Sequence, residues 1–301
     1  MTTIAARLQA VRSRIRVAAL GAGRSPDEIG LIAVSKTFSP AAVAEACAAG
    51  QFAFGENYLQ EALGKIQALS QTRPIGVAPG QEERGPQEGD MRSAGVASPR
   101  PLLLPLQWHD APGQKERGPQ EGDMRSSAGV ASPQAGPLLL PLEWHFIGPI
   151  QSNKTRQIAE HFTWVHAVDR IKIAQRLAAA RPATQGPLQI CLQVNVSGEG
   201  SKSGVRPEEA VALAQALSQL PGLQLRGLMA IPEPTDDIVV QRARFRQVRQ
   251  LKDEINRQGI SLDTLSMGMS DDLEAAIAEG ATLVRVGRAI FGERVPFTPD
   301  C

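Results

Sequence analysis

The sequence is poor in cysteine, in tyrosine and in net charge. Its three cysteines, at positions 47, 191 and 301, are odd in number and lack metal-ligand spacing. Free thiols in such a pattern are typical of a reducing compartment. The 32 basic residues nearly balance the 31 acidic ones. Without a basic excess, the chain is not expected to bind nucleic acid.

Long apolar runs are also missing. The first seven residues lack the apolar centre of a secretory signal peptide. No apolar segment approaches the roughly 20 residues that a membrane-spanning helix requires. We therefore expect a cytoplasmic protein that does not enter the membrane. With 42% hydrophobic residues, the chain can still bury a large core.

Apolar strands and helical patterns alternate along most of the sequence. After a helical pattern at 3–20, the strand candidates are 31–36, 52–55, 144–148, 163–168, 188–196, 223–231, 263–267 and 282–287. Nearly every candidate is followed by a helical pattern. Eight such units predict an α/β protein with a closed (β/α)8 TIM-type barrel and an extra N-terminal helix. An open, doubly wound parallel sheet is the alternative.

A duplicated segment interrupts this alternation. Its two copies begin at Pro79 and Pro112 and share the stretch ERGPQEGDMRS. Two repeats are too few for a solenoid, and their content of proline, glycine and charge disfavours a packed core. We interpret 72–141 as a disordered, low-complexity insertion within one barrel domain that spans 1–301. Neutral expansion of a loop and a docking arm for a partner protein both remain open.

One lysine follows an apolar strand at the place where parallel α/β sheets bind ligands. Leu31–Lys36 is an apolar, partly β-branched run that ends in a charge, and a helical pattern opens soon afterwards. This predicts Lys36 as the last residue of the first strand, at the mouth of the barrel. A partly desolvated ammonium there loses proton affinity and can become a nucleophilic amine. A lysine that merely reaches into solvent fits this stretch equally well.

Small polar residues and one arginine mark the last two strands. Loops at these positions of a barrel often bind phosphate, which Ser266 and Gly287 would suit. Alternation directs Arg285 into the barrel, where its cation needs a core carboxylate or a ligand. The loop 198–204 looks suited to phosphate but lacks P-loop spacing, so a mobile surface loop is the alternative. Together these features suit pyridoxal 5'-phosphate (PLP) held as a Schiff base by Lys36.

The sequence resembles the pyridoxal phosphate homeostasis protein family, single-domain relatives of the alanine racemase barrel. The matching segments are LIAVSKT at 31–37, FGENY at 54–58, WHFIGPIQSNK at 144–154, SKSG at 201–204, RGLMAIP at 226–232, LSMGMSDD at 265–272 and VRVGRAIFG at 284–292. Their order and spacing cover 1–71 and 142–292. The duplicated insertion is the departure from the family pattern.

The resemblance also implies roles for individual residues. It implies that Lys36 forms the Schiff base, that Arg285 faces the ring nitrogen, and that Asn57 and Met229 line the ring pocket. The residues that it implies for the phosphate are Ser266, Gly287 and Arg288. Two further candidates lie in the matching motifs, His145 and Ser203.

Efficient catalysis is not expected. A racemase needs acid–base groups on both faces of its substrate, and in the racemases one comes from an additional domain, whereas only nine residues follow Gly292. An arginine at the ring nitrogen also weakens the electron sink of PLP. The resemblance therefore implies a monomer that carries or buffers PLP in vitamin B6 homeostasis and passes it to PLP-dependent apo-enzymes. A residual amino-acid racemase and a class I aldolase using Lys36 are the alternatives.

Overall fold

The structure is a computed structural model and describes residues 2–71, 142–198 and 203–293. Eight strands in these ranges form one closed barrel, in which neighbouring strands follow the order of the sequence. The strands are β1 (Gly30–Val34), β2 (Ala53–Glu56), β3 (Glu143–Phe146), β4 (Trp164–Val168), β5 (Leu188–Gln193), β6 (Leu223–Met229), β7 (Thr264–Ser266) and β8 (Leu283–Val286). All neighbouring strands are parallel, including β8 with β1. The predicted TIM-type barrel is confirmed, and the open sheet is wrong.

Helices follow the strands and alternate with them along the described chain. They are α1 (Ile4–Gly21), α2 (Pro40–Ala48), α3 (Leu59–Gln71), α4 (Thr155–His161), α5 (Ile171–Ala180), α6 (Pro207–Ser218), α7 (Ile238–Arg257), α8 (Leu273–Ala278) and α9 (Arg288–Phe291). Short 3-10 turns lie at Pro26–Glu28, Ser152–Lys154 and Ala183–Gln185. The extra N-terminal helix is α1, whose buried residues recur at helical spacing and pack near α8 and α9.

The barrel strands are buried on both faces, because one face packs against helices and the other fills the barrel. Every residue of β4 is buried, for example. The filling is partly polar, since His145, His166, Ser266 and Arg285 are all at most 4% exposed. Buried polar groups need hydrogen-bond partners, so these side chains are expected to bond to one another.

Several strands, β1 and β5 among them, end earlier than the sequence pattern predicts. β1 ends at Val34, so Lys36 is not the last residue of the strand but lies in the turn that follows it. There are two physical reasons. β8 ends at Val286, opposite Ala33, and the N–H of Phe38 donates to the carbonyl oxygen of Ser35, which bends the chain into a turn. Similarly, β5 ends at Gln193 rather than at residue 196. Alternation of side chains shows that a strand exists, whereas its end depends on its neighbours.

The eight described strands of the barrel lie on the two sides of the duplicated segment. The helix α3 ends at Gln71, and β3 begins at Glu143 and pairs with β2. The predicted disorder of 72–141 lies outside the described residues. None of the helices in the described ranges is long and apolar enough to cross a membrane.

Candidate functional site

The pairing of the first and last strands brings the segment that carries Lys36 against Gly287. In the β1–β8 register, Ile32 lies beside Arg285. A Cβ atom built on Gly287 would lie 3.2 Å from the carbonyl oxygen of Val34 and 3.4 Å from its Cβ. Glycine at position 287 therefore permits a close approach of the two backbones, two residues before Lys36.

Lys36 lies in a four-residue turn directly after β1. The N–H of Phe38 donates to the carbonyl oxygen of Ser35 at 3.0 Å and closes the turn. Thr37 has φ +68°, and it is the one non-glycine residue with a positive φ among the residues that the structure describes. This conformation costs an ordinary residue roughly 1–2 kcal/mol. Such strain persists where surrounding contacts hold it, which is frequent at functional sites.

Arg285 is buried inside the barrel, as alternation in the sequence predicts. Its Nη1 donates to the carbonyl oxygen of Ser266 at 2.6 Å and to the Oγ of Ser266 at 2.7 Å, and its Nη2 donates to the carbonyl oxygen of Ala230 at 3.0 Å. These bonds use three of the five N–H groups of a guanidinium. Burial lowers the pKa of Arg285 to about 10, against the opposing effect of the Asp272 carboxylate, so the group is a cation at neutral pH.

Ser266 and Met229 lie beside Arg285. They are opposite each other in the β6–β7 pairing, at the ends of their strands. Both are buried, with 0% and 1% exposure. The Oγ of Ser266 accepts from Arg285 and lies 2.8 Å from the Nδ1 of His166. The Ser266 hydroxyl is therefore already engaged on the side that faces the barrel interior.

A row of bonded side chains continues from Ser266 into the barrel. The Nε2 of His166 lies 2.9 Å from the Nδ1 of His145. The Nε2 of His145 lies 3.4 Å from the Oε2 of Glu143 and makes no hydrogen bond among the described residues. Burial lowers the pKa of His166 well below its ordinary value of 6.5, and the neighbouring His145 and Arg285 act in the same direction. His166 is therefore neutral at neutral pH. His145 points both ring nitrogens into this row rather than towards the mouth.

Glu143 ends the row as a carboxylate. Burial raises its pKa, but the neighbouring His145, the hydrogen bond from Trp164 and the charge of Arg226 outweigh burial, and the net pKa lies below its ordinary value. The indole Nε1 of Trp164 donates to the Oε1 of Glu143 at 2.7 Å. The row thus runs from a guanidinium, which only donates hydrogen bonds, to a carboxylate, which only accepts them.

Asn57 follows β2 at the mouth and presents an unpaired acceptor. Its Oδ1 atom is buried and has no hydrogen-bond partner within the described part of the chain. A Cβ atom on Gly148, in the loop after β3, would lie 2.4 Å from the carbonyl oxygen of Asn57. The loops after β2 and β3 are therefore in close contact. A buried polar atom without a partner suggests that a ligand donor or a water completes the site.

Arg288 and Ser203 lie further from the barrel interior. Arg288 is exposed, follows Gly287 directly, and its Nη2 lies 3.1 Å from the Oδ2 of Asp271. Ser203 is exposed, and its carbonyl oxygen accepts from the Nε2 of Gln193 at 3.1 Å. Residues 199–202 of the loop lie outside the described residues.

The sequence pattern did not single out His166, Glu143 or a buried lysine, Lys65. Lys65 could have been identified from the sequence. It continues the apolar spacing of Leu59 and Ala62 along α3 and is nevertheless charged. For His166, the signal was a polar residue within a strand that is buried throughout. Within the described ranges, no group of three or more His, Cys, Asp or Glu side chains could hold a metal ion.

The sequence matches a known family along almost its whole length. The family described as "Alanine racemase, N-terminal domain" matches residues 7–295. The chain is 50% identical to the pyridoxal phosphate homeostasis protein of Pseudomonas aeruginosa, over 98% of this chain and 97% of that protein. The chain belongs to the pyridoxal phosphate homeostasis family. The protein of that name from Escherichia coli strain K12 is 41% identical, over 98% of each chain.

Solved structures of the family share the barrel. PipY of Synechococcus elongatus with PLP bound is 32% identical, with a TM-score of 0.65 over 96% of this chain and 100% of that one. The alanine racemase of Corynebacterium glutamicum shares the fold alone, with 13% identity and a TM-score of 0.56 over 97% of this chain and 63% of that one. The resemblance stated from the sequence is thus confirmed. The names of these family members describe homeostasis proteins and not enzymes.

Proposed function

We propose that this protein binds PLP at the barrel mouth, holds it covalently on Lys36, and carries or buffers it in vitamin B6 homeostasis. The observation that carries the proposal is the β1–β8 pairing, which sets the Lys36 turn against Gly287 and beside the strand of Arg285. A family member, PipY, has been solved with PLP bound. The amine of Lys36 would condense with the aldehyde to form an imine and release one water.

The residues at the mouth fit the groups of PLP, which supplies an electrophilic aldehyde and an electron-accepting ring when bound. Backbone N–H groups at Gly287 and the start of α9, together with the exposed cation of Arg288, suit a phosphate. The buried Oδ1 of Asn57 is an acceptor for a donor group of the ligand. The cation of Arg285 would disfavour a proton on the ring nitrogen.

Four further residues take less direct parts in this proposal. Met229 offers an apolar surface beside Arg285, and Ser266 reaches the ligand only with the part of its hydroxyl that Arg285 and His166 leave available. His145 acts from inside the barrel, through His166. Ser203 lies in the loop 198–204, and this loop would have to bring it to the phosphate.

We propose that the protein does not turn over amino acids efficiently. The two buried histidines are bonded to each other, and His166 is also bonded to Ser266, which leaves them poorly placed to exchange protons with a substrate. Tyr58 is the one tyrosine of the sequence, belongs to the FGENY motif at 54–58, and is 56% exposed. A weak PLP-dependent racemase remains the second candidate, because the fold is shared with alanine racemase. Turnover of an amino acid that is lost in Lys36→Ala would favour that candidate.

An absorbance spectrum tests the proposal. Purified protein mixed with PLP should absorb at about 420 nm, where an imine of PLP absorbs. The band should be absent in Lys36→Ala and unchanged in Lys172→Ala, which alters an exposed lysine of α5. A wild-type protein that develops no band would refute the proposal. Borohydride trapping with a sugar phosphate but not with PLP would favour the aldolase.

We also propose that the protein acts as a monomer in the cytoplasm and passes PLP to PLP-dependent apo-enzymes. Transfer can be measured by mixing the loaded protein with an apo-enzyme and following its activation. Direct delivery predicts faster activation than release of PLP into solution allows. Light scattering of the loaded protein would test the monomer.

A further inference from the structure

Three charged side chains lie directly behind the turn that carries Lys36. The Nζ of Lys65 donates to the Oε1 of Glu56 at 2.7 Å and to the Oε1 of Glu61 at 2.5 Å. It also donates to the carbonyl oxygen of Ser35 at 2.6 Å. Lys65 is 2% exposed and Glu56 is fully buried. We refer to Lys65, Glu56 and Glu61 as the Lys65 cluster.

The Lys65 cluster holds the residues on both sides of Lys36. On one side, Ser35 accepts from Lys65 through its carbonyl oxygen and donates from its hydroxyl to Glu56 at 2.6 Å. On the other side, the N–H of Thr37 donates to the Oε1 of Glu61 at 2.5 Å. Bonds to charged groups are the strong ones, so they can hold Thr37 in its strained conformation.

The cluster lies on the helix side of the barrel wall and not in the mouth. Glu56 follows Gly55, and Gly55 is opposite His145, whose side chain lies inside the barrel. Since successive residues of a strand face opposite sides, Glu56 faces outwards, towards Lys65 on α3. The cluster can therefore act on a ligand at the mouth only through the backbone of the turn.

A buried cluster of charged side chains is weak evidence for a role in stability alone. Burial raises the pKa of Glu56 despite the neighbouring Lys65, and the Oε2 atom of Glu56 has no partner among the described residues. Apolar groups of similar size would often stabilise a fold as well or better. Short, directional bonds to charged groups do, however, fix the orientation of a backbone.

We propose that Lys65 is a positioning residue for Lys36. Together with Glu56 and Glu61 it fixes the turn Ser35–Phe38, so that the Lys36 amine is presented at the mouth in the orientation that attack on an aldehyde requires. This inference rests on the proposed function, because the orientation matters only if Lys36 is the attacking amine.

Lys65→Met tests the inference through two separate measurements. The first is the rate at which PLP becomes attached to Lys36, followed by borohydride trapping. The second is the affinity for pyridoxine 5'-phosphate, which lacks the aldehyde and cannot form an imine. We expect attachment to slow by about tenfold or more, because small displacements of a reacting group cost up to about a hundredfold. The affinity for pyridoxine 5'-phosphate should not change, because the pocket itself is intact.

Variants of Glu61 give a second test, which keeps the buried lysine and its bonds to Glu56 and Ser35. Glu61→Ala removes the acceptor for the Thr37 N–H at a side chain that is 29% exposed, so the protein should fold and attachment should slow. Glu61→Gln keeps an Oε1 acceptor and should recover most of the rate.

The matched control is Arg226→Met. Arg226 is also a buried cation, bonded to Asp263 at 2.6 Å, but it lies towards the amino-terminal ends of the strands, next to Gln189. Its replacement should leave the attachment rate unchanged even if the protein becomes less stable.

The outcomes separate the inference from the proposed function. Attachment rates in Lys65→Met and Glu61→Ala equal to that of the wild type would overturn the inference, with the proposed function intact. An equal loss of attachment and of pyridoxine 5'-phosphate affinity would also overturn it, since that result indicates a damaged pocket. A wild type that takes up neither compound would overturn the proposed function and this inference with it.

Discussion

At the scale of single residues, the hydrogen-bond donors in the row of side chains from Arg285 to Glu143 all face the Glu143 end. Arg285 can only donate hydrogen bonds and the Glu143 carboxylate can only accept them. With one proton on each imidazole, Ser266 donates to His166 and His166 to His145, and the proton of His145 faces Glu143 at a longer distance. This arrangement holds only when both histidines carry their proton on Nε2.

We therefore predict that both histidines are Nε2–H tautomers in the protein without PLP. The nitrogen chemical shifts of labelled His145 and His166 at neutral pH would show this, with the exposed His161 as an internal reference. Nδ1–H tautomers would contradict the direction of the row. Glu143→Gln, whose amide can also donate, should weaken the preference.

His166 should make the protein less stable in mild acid. Its pKa is lowered by burial in the folded protein but stays near 6.5 in the unfolded chain. Below that pH the unfolded chain binds a proton that the folded protein does not, so the free energy of unfolding falls as the pH falls. Above it, both forms are neutral and the contribution is constant.

Urea denaturation of the wild type and of His166→Gln at several pH values measures the contribution of His166. That contribution is the difference between the free energies of unfolding of the two proteins. Between about pH 7 and pH 5, the wild type should lose up to about 1.4 kcal/mol per pH unit relative to the variant, the slope for one proton. Parallel pH profiles for the two proteins would contradict the assignment.

The sequence could predict Lys36 and Arg285 but not their partners. A charge at the end of an apolar run and a charge on an inward face are both visible in the alternation of residues. The Lys65 cluster joins residues from β1, β2 and α3, and the histidine row joins β3, β4 and β7. Such contacts depend on which side chains the closed barrel brings together, and no local pattern contains that information.

At the scale of elements, the loops after β2 and β3 act as one unit. Gly148 packs so closely on the main chain of Asn57 that a Cβ atom would overlap it. The existence of both strands could be predicted from apolar spacing. Their contact could not, because the residues between the two strands include the whole insertion.

Gly148→Ala should therefore displace Asn57 and weaken the site. We expect a lower free energy of unfolding and a weaker affinity for PLP, measured by denaturation and by titration. Gly64→Ala is the matched control, since Gly64 lies in α3 with nothing within 4 Å of an added Cβ. That change should stabilise the protein by roughly 0.5–1 kcal/mol. Equal behaviour of the two variants would contradict the close contact.

At the scale of the whole molecule, the barrel closes with strands from the two sides of the duplicated segment. All eight strands lie outside 72–141, and β3 pairs with β2 across it. The sequence could identify this segment, because its composition and repetition differ from the rest of the chain. Whether 1–301 behaves as one domain stays a prediction.

We predict that replacing 72–141 with a short glycine–serine linker preserves both the barrel and PLP binding. Shortening the connection should stabilise the fold by up to about 2 kcal/mol, because a shorter loop costs less entropy to close. Thermal unfolding and the PLP absorbance of the shortened protein would test this. Loss of the barrel would show that the segment contributes to the core. Loss of function in cells with PLP binding intact would favour a docking arm.

The closure of the barrel by β1 and β8 also bears on when the protein can act during its synthesis. Lys36 leaves the ribosome early, whereas Arg285 and Gly287 are among the last residues of the barrel to emerge. Gly30 must then find Leu283 across almost the whole chain, a long-range pairing that forms slowly. A nascent chain therefore carries Lys36 before the last strand of the barrel has formed. Under the proposed function, capture of PLP must await the pairing of β8 with β1, so that unfinished chains do not consume it.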